Sequence, residues 1–167
     1  MQSDDKETGI LLISHGSRLP YGSEVINKLA DMCRKDSDYK IAVGYMEMSK
    51  PDIATAVEEL VEGTNIQRII AIPVFLANGV HTKVDIPKIL GISNNEEHGH
   101  EHSSDHSNKG HHHNHEHSPD HSHKDHNHNH EHDFKKVNFD GEIIYTDPLG
   151  ADPLVLEIIK KRINDSL

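Results

Sequence analysis

Apolar positions change their period several times along this chain, and each change predicts an element. Gly9–Ser14 is a short apolar run without a 3.6-residue period, which predicts a buried strand. Tyr21–Arg34 carries Val25, Ile26, Leu29, Met32 and Cys33 at helical spacing. Ile41–Met46 alternates as a second strand, and Ser49-Lys50-Pro51-Asp52 is a helix-start signal with proline near the first turn. Ile53, Ala56, Val57, Leu60 and Val61 form the stripe of that second helix, which Gly63 can end. Arg68–Phe75 is a continuous apolar run, as in a central parallel strand. Pro73 cannot complete a sheet ladder, so the regular strand is expected to stop at Ile72 and Phe75–Val80 to form a loop. Asp85–Gly91 reads as a short helix or turn. Glu142–Tyr145 reads as a fourth strand, Asp147–Gly150 as a loop, and Pro153–Ile163 as a last helix with Leu154, Ile158, Ile159 and Arg162 on one face.

The resulting βαβαβ(α)βα order predicts an α/β fold of three layers, a small, mostly parallel four-stranded sheet flanked by helices. Right-handed crossovers place all strand ends on one side. That side receives His15, Glu47, the Phe75–His81 loop and Asp147–Gly150, in the crevice where open α/β sheets bind ligands. Gly16 permits a tight turn or a close backbone approach beside His15.

Composition then divides the 167-residue chain. Glu96–Asp133 holds 15 of the 17 histidines and almost no apolar residue: His98, His100, His102, His106, His111, His112, His113, His115, His117, His121, His123, His126, His128, His130 and His132. Its nine acidic residues and two lysines give it a charge of −7, most of the chain's −11. No core can form from such residues, so the segment is expected to be a disordered insert in a single domain, able to bind metal. The remainder is acidic too, which excludes a basic nucleic-acid footprint. Cys33 is the one cysteine, so no intrachain disulfide is possible. No stretch is long and apolar enough to cross a membrane, and MQSDDKETG is no signal peptide; a cytoplasmic location is expected.

Nucleotide motifs are absent: there is neither G-x-x-x-x-G-K-[ST] nor G-x-G-x-x-G. His15-Gly16-Ser17 is not a G-x-S-x-G elbow, which leaves a Ser17–His81–Asp85 hydrolase triad without a fixed serine. Metal chemistry fits better. Imidazole binds Co²⁺, Ni²⁺, Zn²⁺ and Fe²⁺, and two histidines with Glu47 as a weak third ligand or proton acceptor suit a metal that must arrive and leave. A soluble histidine-rich metal-binding or storage protein is the non-enzyme alternative; it needs only the insert and leaves the strand-end histidines unexplained.

ISHGSR at 13–18, ME at 46–47, PVFLANGVHTKVDIP at 73–87 and DPLG at 147–150 resemble the small class II chelatases, the CbiX/CfbA group of archaeal sirohydrochlorin cobalt or nickel chelatases. The match covers nearly all of Thr8–Ile163, and several such proteins share a histidine-rich insert. The resemblance implies a homodimer that inserts Ni²⁺ or Co²⁺ into sirohydrochlorin without ATP, for coenzyme F430 or cobalamin synthesis, with the metal as substrate and no permanent cofactor. It implies that His15 and His81 handle the metal and that Glu47 matches the family's acidic position. Asn78 stands where close relatives often have histidine. The substrate's carboxylates need cationic or N–H donors, for which Arg18 is the first candidate, Lys83 and Lys88 follow, and backbone N–H groups around Gly79 and Gly150 are further candidates.

Overall fold

The structure, a computed structural model, describes residues 7–92 and 134–167. The insert at 96–133, with every candidate ligand from His98 to His132, lies outside the described residues. Four strands are present, β1 (Thr8–Ser14), β2 (Lys40–Tyr45), β3 (Arg68–Pro73) and β4 (Glu142–Tyr145). They form one sheet in the order β2-β1-β3-β4, and every pairing is parallel. The helices are α1 (Pro20–Asp36), α2 (Ile53–Val61), α3 (Ile86–Leu90) and α4 (Pro153–Asn164). Among the described residues no helix is long and apolar enough to cross a membrane.

Alternation along β1 divides the core. Leu11 and Ile13 point to one face, where they pack with Ile53, Val57 and Leu60 of α2 and Ile86, Ile89 and Leu90 of α3. Leu12 points to the other face, against Ile26 and Ala30 of α1 and Ile41, Val43 and Tyr45 of β2. Gly44 lets α2 approach β2 closely, since a Cβ there would lie 3.0 Å from the Ile53 Cα. The Asp52 carboxylate caps α2 by accepting the Thr55 N–H at 2.9 Å. That bond, ahead of Lys50, lowers the Asp52 pKa from 3.8 to about 2. The cap's charge therefore supports the fold above pH 3.8 and is lost as the pH falls through 2.

Several expectations need correction. Pro51 precedes the Asp52 cap and so lies outside the first turn of α2; the Lys50–Pro51 peptide is cis. β3 runs one residue past Ile72. In a parallel ladder alternate residues bond alternate neighbours. Val74 donates to Ile13 on β1 and Ala71 accepts from Thr146, so the missing N–H of Pro73 falls on the β4 side, beyond the last pair Ala71–Tyr145. No ladder bond is lost. On α1 the buried residues are Ile26 and Ala30, whereas Val25 and Met32 of the expected stripe are exposed. α4 buries none of its residues; Leu154 is 75% exposed and Ile158 58%. Ile144 of β4, on the same sheet face as Leu12, is 40% exposed, and Ile70 and Ile72 beside it are only partly buried. Helix periodicity reports an apolar face but not what covers it.

β2 is an edge strand, and two of its outward backbone groups are bonded within the chain. Arg34 donates to the Ile41 carbonyl at 2.7 Å, and Tyr45 donates to the Pro51 carbonyl at 3.0 Å. Such capping deters pairing with another chain.

The loops after β1 and β2 are pressed together. Gly16 sits at φ 90°, and a Cβ there would overlap the Glu47 carbonyl oxygen. We expect Gly16→Ala to lower unfolding stability by roughly 3 kcal/mol or more, because left-handed backbone and overlap act together. Gly79, with nothing within 4 Å of an added Cβ, should change by less than about 0.5 kcal/mol on the same substitution. Urea titrations of the two variants check the contrast.

Candidate functional site

The parallel sheet delivers three loops to one end, and the backbone fixes two of them before any side chain acts. Met46 donates to the Ser14 carbonyl at 3.0 Å, and Glu47 donates to the His15 carbonyl at 2.9 Å. The pairing of β1 with β2 thus continues one step into the loops. The Ser17 N–H donates to the Ser49 hydroxyl and that hydroxyl donates to the Ser17 carbonyl, both at 3.1 Å. Met48, at φ 59°, turns the chain within this clamp. His15 and Glu47 are therefore neighbours by construction.

His81 arrives from β3. The Phe75–Val80 loop is followed by a π-helical turn, His81–Asp85, which runs directly into α3. His81 opens this turn, one residue after the loop to which its pattern assigned it. Single π turns occur often at functional sites. The turn is anchored twice. The buried Thr82 hydroxyl accepts the Gly79 N–H at 2.8 Å, and the Tyr145 hydroxyl donates to the Thr82 carbonyl at 2.9 Å. Burial, then the charge of Asp147, pushes the Tyr145 pKa up to about 12, so it remains a donor across the physiological range. Leu149 donates to the Phe75 carbonyl at 2.8 Å, which ties the last loop to the third.

The result brings His15, Glu47 and His81 together. One ligand atom from each lies within 4.8 Å of the others, close enough to surround one cation. The two imidazoles meet edge to face, with ring centres 5.0 Å apart and planes at 71°. His15 is exposed and the other two are half-buried, so an ion has a route in and out. The His15 Nδ1 lies 3.1 Å from the Gly16 carbonyl, and the His81 Nδ1 lies 2.8 Å from the Asp85 carboxylate. Neither partner can donate, so each contact favours a hydrogen on Nδ1.

The other expected residues are less closely gathered. Arg18 is exposed just beyond the Ser17–Ser49 clamp, and Lys88 is exposed on α3. Lys83 lies 3.7 Å from Asp147 on an exposed rim. The Gly79 N–H is already donated to Thr82, which removes it as a donor for an incoming carboxylate. Gly150, at φ 63°, turns the last loop. His81 bonds Asp85, whereas the Ser17 hydroxyl accepts the Leu19 N–H, which argues against the triad. The sequence pairs Asp85 with His81 only within the hydrolase triad; the structure keeps that pair, without a serine, beside Glu47 and His15.

The chain resembles known proteins in sequence and in fold. The chain is 52% identical over 159 residues to the "Sirohydrochlorin cobaltochelatase" of Methanothermobacter thermautotrophicus, covering 95% of this chain and 92% of that one. It is 42% identical to the protein of the same name from Methanopyrus kandleri, covering 95% and 96%. The fold resembles the crystal structure of a CbiX protein from Marinobacter aquaeolei, with a TM-score of 0.58 and 20% identity over 95% of this chain and 96% of that one. The CbiX family model matches residues 9–166, the span that contains the three converging side chains and all four strands but for the first residue of β1, and the chain therefore belongs to the CbiX family.

Proposed function

We propose that this chain is a sirohydrochlorin chelatase that inserts a divalent metal into sirohydrochlorin without ATP. The observation that carries the reading is the convergence of His15, Glu47 and His81 at an exposed sheet end, in a chain 52% identical to a protein named for this reaction. The relatives' names favour Co²⁺ and hence cobalamin synthesis. Ni²⁺, and through it coenzyme F430, is the second metal; imidazole donors suit both ions, and cellular supply decides between metals of similar affinity.

The reaction exchanges one M²⁺ for two pyrrole protons, so the site must hold a dication and accept protons. His15 and His81 offer Nε2 lone pairs to the metal. Glu47 accepts one of the two protons as the ring closes around the ion, and solvent water takes the other. Holding ring and ion face to face supplies much of the rate. Arg18, Lys83, Lys88 and the backbone at Gly150 receive the substrate's carboxylates. The exposed Lys83–Asp147 pair is weak enough for a carboxylate to displace.

A second copy of the chain completes the structure. Parallel sheets are covered on both faces, yet Ile144 is exposed and Ile70 and Ile72 are only partly buried, while α4 buries nothing of its own. A homodimer covers these surfaces and sets two histidine-bearing ends in one assembly.

Three outcomes follow. His81→Ala should lower Co²⁺ insertion at least about 100-fold with unchanged circular dichroism; absorbance of the metallated product reports turnover, and a near-parental rate would refute the role. Sedimentation at micromolar concentration should give a dimer, and Leu154→Glu with Ile158→Glu should give a folded monomer. A parent that sediments as a fully active monomer contradicts the assembly. Removal of 96–133 with a short Gly/Ser bridge should leave turnover intact at saturating metal and slow it when buffered metal is scarce. Metal binding by the insert should fade toward pH 5, where imidazoles with a pKa of about 6.5 are protonated. Full loss of insertion by a well-folded deletion at saturating metal would refute the placement of the chemistry at His15 and His81.

A further inference from the structure

Asp85 occupies the N-cap position of α3, where an aspartate ordinarily accepts a backbone N–H from the helix's first turn. Here its carboxylate makes no such bond. Its φ of −71° and ψ of −50° are helical, because the π turn runs into α3 without a break. The carboxylate instead lies 2.8 Å from the His81 Nδ1, on a half-buried side chain. Both ends of this hydrogen bond belong to the turn that Thr82, Gly79 and Tyr145 immobilise. The capping explanation for an acid at this position is thus removed, and the remaining partner is His81, which clusters with Glu47 and His15.

We propose that Asp85 is a positioning residue that holds His81 in the tautomer with hydrogen on Nδ1, and so keeps the Nε2 lone pair turned toward the incoming metal. A carboxylate accepts and cannot donate, so it selects one tautomer absolutely. The bond is charge-assisted, which makes it stronger than the 3.1 Å bond from His15 to a neutral carbonyl. Carboxylate partners of ligating histidines fix ring orientation and raise donor strength. His81 is accordingly the fixed ligand and the exposed His15 the adaptable one. This inference rests on the chelatase reading for its kinetic consequence, but not for the tautomer itself.

The full-length chain tests it by long-range ¹H–¹⁵N spectra of the imidazoles at about pH 8, where ordinary histidines are neutral. The His81 signals are identified by their loss in His81→Gln. The parent should show hydrogen on Nδ1. Asp85→Asn, which can donate from its amide, should move His81 partly or wholly to the Nε2–H tautomer. The same variant should lower kcat/KM for Co²⁺ by about 10–100-fold with KM for sirohydrochlorin unchanged. Asp85→Glu, still an acceptor, should restore the Nδ1–H tautomer and most of the rate. A parent with hydrogen on Nε2, an Asp85→Asn variant with the parental tautomer, or a changed tautomer with parental kcat/KM each overturns the proposal. A parent that inserts no Co²⁺ at all refutes the chelatase reading instead, and the spectra still decide the tautomer.

Discussion

The contact on which this site depends is between two backbones, at Gly16 and Glu47. The Glu47 carbonyl oxygen fills the place where any side chain at position 16 would begin, and the Glu47 N–H bonds the His15 carbonyl. The two loops can meet only because Gly16 has no Cβ and accepts φ 90°. His15 and Glu47 are held at their α-carbons, so their side chains do not have to bond each other to stay in place. The third ligand follows the same rule. His81 is located by Thr82, which binds the Gly79 amide through its hydroxyl and Tyr145 through its carbonyl. Positioning is done largely by backbone and second-row groups, and the ring nitrogens of His15 and His81 that face the site are left for chemistry.

A site built in this way suits transfer better than storage. Permanent metal sites close their coordination sphere with buried, well-held donors. Here one imidazole is exposed, the other two donors are half-buried, and the donor set of two nitrogens and one carboxylate leaves coordination positions open. An ion held by three such groups can pass to a macrocycle that offers four nitrogens. The choice of imidazole over thiolate has the same consequence, since the chain's single cysteine is on α1, outside this cluster.

Much of this was legible in the sequence, for identifiable reasons. β4 begins and ends where its pattern places it, and the other strands differ by a residue or two, because buried parallel strands are continuous apolar runs bounded by polar residues. The convergence of His15, Glu47 and His81 followed from topology: residues just beyond the strands of a parallel sheet must share one end. What failed was information that no single element contains. The HTKVD turn has no apolar period, so its helical geometry was hidden, although the four-residue spacing of His81 and Asp85 was present. Pro73 was read as a strand breaker because the pattern does not say which neighbour its nitrogen faces. The stripe on α1 was drawn too wide, since periodicity measures amphipathicity and not the width of the surface it meets.

The uncovered half of the sheet and the site are not independent features. β3 and β4 bear the partly exposed Ile70, Ile72 and Ile144, and the same strands lead into the loop before His81 and into Tyr145, whose hydroxyl anchors the π turn. Covering apolar surface stabilises by about 25 cal/mol for each Å² removed from water. On the dimer reading, that stabilisation falls on the two strands whose ends hold His81. A lone copy keeps His15 and Glu47 together through the Gly16 contact, because β1 and β2 lie under α1 and α2. The third ligand is the one that stands on the less protected strands. What restrains His81 within one chain is its own turn, through Thr82, Tyr145 and the carboxylate of Asp85.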